Sequence, residues 1–249
     1  MRTSAIVALG LAAYSVFLVA TIPAGYVGSQ VQSTMPGRVE VTEARGTLWN
    51  GSAQVRFAPP RGTVVQIDRV EWRFLPMRLF AGEIAFQAHA TATGLDGTAQ
   101  IARGFSSWHA RTVKVDGDAA GIATLFPLAA AWRPAGSLSI AAPEISLRGS
   151  EVTGTLDAEW RNAVTALSDV RPLGSFHAAW RGEGKAASFE VTTTKGPLRI
   201  TGKGTTLPRF VFSGEARAEA EAAKALDPLL DLMGPRRPDG ARVLELRLN

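Results

Sequence analysis

Beyond residue 38 apolar and polar residues alternate in short runs. The alternation is plain in Val70-Glu71-Trp72-Arg73-Phe74, in 83–90 and in 153–160, and it recurs at 39–41, 48–57, 64–69, 137–140, 145–147, 176–180, 188–192, 198–200, 210–212 and 243–248. A period of two places every second side chain on one face of a strand. Gly, Pro and Asp separate the runs at intervals of roughly 8–14 residues, the spacing of short antiparallel strands with one face apolar. The pattern predicts a mainly β chain, a curved antiparallel sheet with one or two short helices.

Two segments depart from that period. Residues 119–132 carry a compact apolar stretch, and 219–233 place Ala222, Leu226, Leu229, Leu230 and Met233 on one helical stripe. Asp227-Pro228 predicts a helix restart, because Asp caps and Pro fits the first turn. Pro134-Ala135-Gly136 and Pro238-Asp239-Gly240 follow these segments, each leading into an alternating run. The repeated order predicts two related halves.

The N-terminus reads differently. Residues 5–22 are uncharged and apolar, and Tyr26 and Val27 extend the run. About 20 helical residues cross a ~30 Å hydrocarbon core. The run predicts a single transmembrane helix over 1–27, then a polar linker at 28–37 without periodicity, then an exported β domain over 38–249. Arg2 orients the N-terminus to the cytoplasm. The apolar core is longer than that of a cleaved signal peptide, and Leu18-Val19-Ala20 is a poor cleavage site.

Composition removes several chemistries. The chain has 249 residues, 46% apolar and 20% charged, and no cysteine, so thiolate metal sites and cysteine nucleophiles are excluded. His89, His109 and His177 stand far apart, with no second histidine at ligand spacing. The net charge is +5, but the bases are scattered, the densest run being Arg236-Arg237. A nucleic-acid interface concentrates its bases on one stripe, so none is expected. No Gly-x-Ser-x-Gly elbow occurs, 196–204 lacks P-loop spacing, and Asp116-Gly117-Asp118 lacks the further oxygen ligands of a calcium loop. The residues predict no catalytic, cofactor or metal site, and the histidines are read as strand residues.

The most informative stretch is Gly46-Thr47-Leu48-Trp49-Asn50-Gly51. Two glycines bracketing a tryptophan permit a close backbone approach, with the indole as a buried anchor. Trp72, Pro76, Leu79 and Gly82 then mark a strand, a bend and the next strand. With Pro134-x-Gly136-x-Leu138, with Leu229-Leu230-x-Leu232-x-Gly234 and with Asp239-Gly240, in this order behind an N-terminal anchor, the chain resembles the N component of the type II secretion system.

That resemblance implies a bitopic inner-membrane accessory protein, single-pass, with its bulk in the periplasm and no catalytic site. It implies partners among the inner-membrane or periplasmic components of the apparatus, and it makes Gly46, Thr47, Trp49, Gly51, Trp72, Pro76, Gly82, Pro134, Gly136 and Gly240 the signature and interaction candidates. Two other readings compete: a membrane-tethered β groove that binds or transfers lipid, and an exported hydrolase with a scattered site.

Overall fold

The structure, a computed structural model, describes residues 10–11, 14–15, 17–34, 37–58, 64–123 and 131–248. These form one open antiparallel sheet of 13 strands, each paired to the next in sequence. The strands are β1 (Val39–Gly46), β2 (Asn50–Phe57), β3 (Val65–Phe74), β4 (Ile84–Ala92), β5 (Leu95–Arg103), β6 (Trp108–Asp118), β7 (Ala135–Arg148), β8 (Glu151–Val164), β9 (Gly174–Gly184), β10 (Ala186–Lys195), β11 (Leu198–Leu207), β12 (Phe210–Ala218) and β13 (Arg242–Leu248). Helix α1 (Ala24–Thr34) precedes β1, α2 (Ala119–Ala123) follows β6 and α3 (Ala223–Met233) follows β12. Six strands thus precede α2, and six more separate it from α3.

The alternation in sequence becomes a sheet with two unlike faces. One register row runs Val70, Ala90, Gly97, Val115, Ile140, Ala158, Ala178, Val191, Gly202, Gly214, Leu244 from β3 to β13, all apolar or glycine. The adjacent row, pointing the other way, runs Glu71, His89, Thr98, Lys114, Ala141, Asp157, Ala179, Glu190, Lys203, Ser213, Glu245. Register slips interrupt eight of the twelve pairings, and such bulges bend and twist a sheet. Aromatic rings lie over glycines of the apolar face: the Phe212 ring lies over Gly202 and the Phe189 ring over Gly204, each under 3 Å from where a Cβ would stand. The two rings stack at 5.7 Å.

Among the described residues, the core lies at one end of this face. Leu226, Leu229 and Leu230 of α3 meet Leu173, Phe176, Leu198, Ala216 and Leu244. Over the middle strands the large apolar side chains stay half-buried or exposed, Ile101 and Leu147 among the latter. The chain exposes 15894 Å², where a compact monomer of this mass would expose about 10,600 Å².

Several expectations need correction. The 28–37 stretch is not an aperiodic linker, because α1 continues through Thr34 and lies along β1. The apolar run does not continue as one helix to 27: its described helical residues end at Ala20, and 21–23 break before α1, where Pro23 cannot donate a backbone bond. Among the described residues no helix is long and apolar enough to cross a membrane, and most of 5–16 lies outside the described residues. Of the helix expected near 119–130, α2 covers the start and 124–130 lie outside the described residues. Pro228 does not restart a helix; it sits inside α3. Burial of Leu226, Leu229 and Leu230 offsets the hydrogen bond that Pro228 removes. The runs at 137–140 and 145–147 are one strand, with Pro143 accommodated where β7 slips register against β8.

Candidate functional site: the first hairpin and the sheet end it occupies

Turns alternate between the two ends of a meander. The turns β1–β2, β3–β4, β5–β6, β7–β8, β9–β10 and β11–β12 share one end, here called the hairpin end. The opposite end carries the connections that hold α2 and α3.

At the hairpin end, Gly46 has φ +84°, and a Cβ there would lie 2.4 Å from the Asn50 carbonyl oxygen. Only glycine fits such a position without strain. The Thr47 N–H donates to the Asn50 carbonyl at 2.8 Å. Thr47 Oγ1 accepts from the N–H groups of Trp49 and Asn50 at 3.3 and 3.2 Å, closing the turn on itself. Gly51 has no room for a side chain: a Cβ would sit 2.7 Å from both the Arg45 carbonyl oxygen and Trp72 Cζ2. The Trp72 indole reaches back over it, and its Nε1–H donates to the Leu48 carbonyl at 3.0 Å.

The closed hairpin grips the N-terminal segment. Trp49 Nε1–H donates to the Val19 carbonyl at 2.7 Å, and the Leu48 N–H donates to the Ile22 carbonyl at 2.8 Å. Pro23 bridges to Thr47. The Trp49 ring is half-buried rather than enclosed, edge-on to Phe74 at 4.8 Å, and Phe74 tilts onto Phe86 at 5.4 Å. Helix α1 then returns along β1, where Gly28 admits Val41 and Gln32 Nε2 donates to the Val41 carbonyl at 3.3 Å. This edge of the sheet is thereby covered.

Gly46, Thr47, Trp49, Gly51 and Trp72 therefore form one joint. Pro76 and Gly82 lie beside it, at the start and the C-cap of the 3-10 helix Pro76–Ala81 that joins β3 to β4. Pro134, Gly136 and Gly240 do not join them. Gly136 lies at the opposite end, against the carbonyls of Arg161 and Asn162. Gly240 closes a turn in which its N–H donates to the Arg237 carbonyl at 3.0 Å.

Sequence reading missed a polar cluster on the same end. Glu83 takes both Nη groups of Arg111 at 2.8 Å, and Arg111 Nε donates to Glu144 at 3.0 Å. His109 Nδ1 stands 3.2 Å from Glu144, and its Nε2 stands 2.9 Å from Ser107 Oγ. The order Ser, His, carboxylate is that of a hydrolase triad. Here, though, Ser107 is buried, and Glu144 is shared with Arg111. The arrangement ties the β5–β6 turn to β7. Its members span 83–144, too far apart for any local motif to reveal. His89 and His177 likewise sit beside Asp96 and Asp157 on the polar face. Among the described residues no cluster of metal-ligating side chains occurs.

The Glu83 carboxyl lies below its ordinary value of 4.5, chiefly because it accepts from Arg111, with burial opposing. A carboxyl depressed in the folded state stabilises above its unfolded value, and the gain disappears as pH falls through the folded one. Glu83→Gln should therefore cost about 1.5–3 kcal/mol at neutral pH. The difference from the unsubstituted chain should shrink steadily below about pH 4.5. Thermal melts of both proteins across that range measure it, and a gap independent of pH would refute the assignment.

No curated protein and no solved structure matches the chain. A family model does, that of Type II secretion system (T2SS), protein N, over residues 37–245. The match begins at β1, takes in the joint with its Trp49 and Trp72, and runs into β13, so it spans nearly the whole sheet: the chain belongs to the protein N family of the type II secretion system.

Proposed function

We propose that the chain is a non-catalytic assembly component of the type II secretion apparatus, anchored in the inner membrane by its N-terminal segment and meeting other components through a periplasmic sheet. Family membership supports the system. The hydroxyls of Ser15 and Thr21 support the anchor, since both donate to carbonyls one helical turn back, Leu11 and Phe17, at 2.9 Å. That is how a helix keeps such groups satisfied in lipid.

The observation that carries the binding mode is the unequal treatment of the two sheet edges. Helix α1 and Gln32 cover β1. At β13 only the first half is covered: the Val243 N–H donates outward to the Pro235 carbonyl at 3.1 Å. By alternation, the backbone groups of Glu245 and Arg247 also point away from β12, and no described residue pairs with them. Such an edge is ready to take a further strand. A photo-crosslinker at residue 245 or 247, in intact membranes, should capture a secretion component; the same group at Thr192, in mid-sheet, should not. Equal capture at all three positions, or none, would defeat this mode.

The second reading is lipid binding on the apolar face, favoured by its half-exposed middle strands. An acyl chain co-purifying with the full chain, and lost on placing Glu at Ile140, would select it.

A further inference from the structure

The hairpin end carries a row of apolar side chains that the fold does not use. In the 3-10 helix Pro76–Ala81, Met77, Leu79 and Phe80 are exposed, Phe80 by 87%. Phe105, at the tip of the β5–β6 turn, is exposed by 96%. These are one patch, because Phe105 Cε2 lies 3.2 Å from where a Cβ on Gly82 would stand. Single exposed apolar residues need no explanation, but a contiguous group with two phenylalanines at turn tips does.

The position of the patch supplies the explanation. Helical residues 17–20 leave the sheet at this same end, held there by Trp49 and Leu48; Phe17 and Leu18 are exposed on them, and Leu11 and Tyr14 are exposed on the described helical residues before them. Trp49, hydrogen-bonded to the Val19 carbonyl, meets Phe74 edge-on; the chain leads from Phe74 directly into the 3-10 helix, and Phe105 lies against Gly82 at that helix's C-cap. Arg103 lies over the Trp108 ring at 4.9 Å beside the same turn, and Trp108 is itself exposed. An indole and a guanidinium bordering aliphatic and phenyl groups match the headgroup boundary of a bilayer, where Trp settles and Arg extends toward phosphates.

We propose that the hairpin end is a membrane-docking surface: Met77, Leu79, Phe80 and Phe105 enter the outer part of the leaflet from which the N-terminal helix emerges. This rests on that helix being the anchor. The sheet then does not swing on a flexible tether. The Gly46–Gly51 joint and the inserted turns give it two points of attachment to the same leaflet, so its strands stand off the membrane in a fixed direction. Shallow insertion of this kind reaches about 5–10 Å below the headgroups.

The absence of cysteine makes the test direct. Leu11→Cys, Phe105→Cys and Thr192→Cys, each in the full chain and labelled with an environment-sensitive fluorophore, are reconstituted into vesicles of phosphatidylethanolamine and phosphatidylglycerol containing nitroxide-labelled lipid. The labels at 11 and 105 should both be quenched severalfold more than the label at 192. Quenching at 11 but not at 105 would retain the anchor and overturn the docking surface. Quenching at neither would remove the anchor and the docking surface with it. A blue-shifted label at 105 without nitroxide quenching would mean the patch meets a second copy instead, and would also overturn the proposal.

Discussion

Gly51→Val should open the first hairpin and free the N-terminal segment from the sheet. Two of the three atoms that a Cβ would strike are main-chain oxygens, of Arg45 at 2.7 Å and Thr47 at 2.9 Å. They belong to the turn itself and cannot move aside as a side-chain tip could. The third is Trp72 Cζ2, and displacing that ring also breaks its hydrogen bond to Leu48. Overpacking costs about 1–3 kcal/mol, and the lost hydrogen bond adds about 1 kcal/mol. We expect a destabilisation of about 3 kcal/mol, with new protease cleavage between α1 and β1. Gly25→Ala is the control. A Cβ there meets nothing within 4 Å, and in the first turn of a helix the change should leave stability the same or slightly raised. If Gly51→Val melted with the unsubstituted protein while the segment stayed protected, the joint would not be what holds it.

The strands that sequence pattern revealed are those whose apolar row holds large side chains. In β3 and β8, Val70, Trp72 and Phe74, or Leu156 and Trp160, make the alternation visible. It is faint in β5, where only Gly97 and Ala99 stand between Leu95 and Ile101 on the apolar row, residues that read equally well as a turn or a helix. In β6 the alternation changes phase at Thr112, which has φ +49°, so Trp108 and Ala110 do not keep step with Val113 and Val115. A bulge of this kind is invisible to a period-two search. The joint was half legible. Two glycines around a tryptophan signal a tight backbone approach, but the group that the indole meets is a carbonyl 30 residues upstream. No local spacing encodes that. Phe105 could have been found: a phenylalanine between Gly104 and Ser106, in a turn and not on a strand, has no strand partner to bury it.

Leu226→Ala should cost more than any equal truncation on the open part of the apolar face. Leu226 is 0% exposed and is the largest side chain fully enclosed among the described residues. It lies where α3 meets Phe176, Leu198, Ala216 and Leu244. Truncating such a leucine typically costs about 2–5 kcal/mol, because a cavity remains that the surroundings only partly fill. Leu156 lies on the same face in β8 but is only half-buried, so Leu156→Ala should cost about 1 kcal/mol, in proportion to the area it removes from water. Leu232, exposed on the far side of α3, should tolerate Ala with almost no loss. Chemical denaturation of the three variants orders them. The ordering matters because α3 also holds Arg242. That guanidinium is buried, its Nη2 on Asp227 and Asp231 and its Nε and Nη1 without partners among the described residues. A buried, incompletely satisfied charge stays in place only while something else holds its surroundings together. Here that is the leucine face of α3. Loosening α3 should therefore release Arg242 to water and leave β13 with no cover on its apolar side. If Leu226→Ala proved no worse than Leu156→Ala, the stability of the fold would have to come from the sheet ladder alone, and the α3 cluster would not be its core.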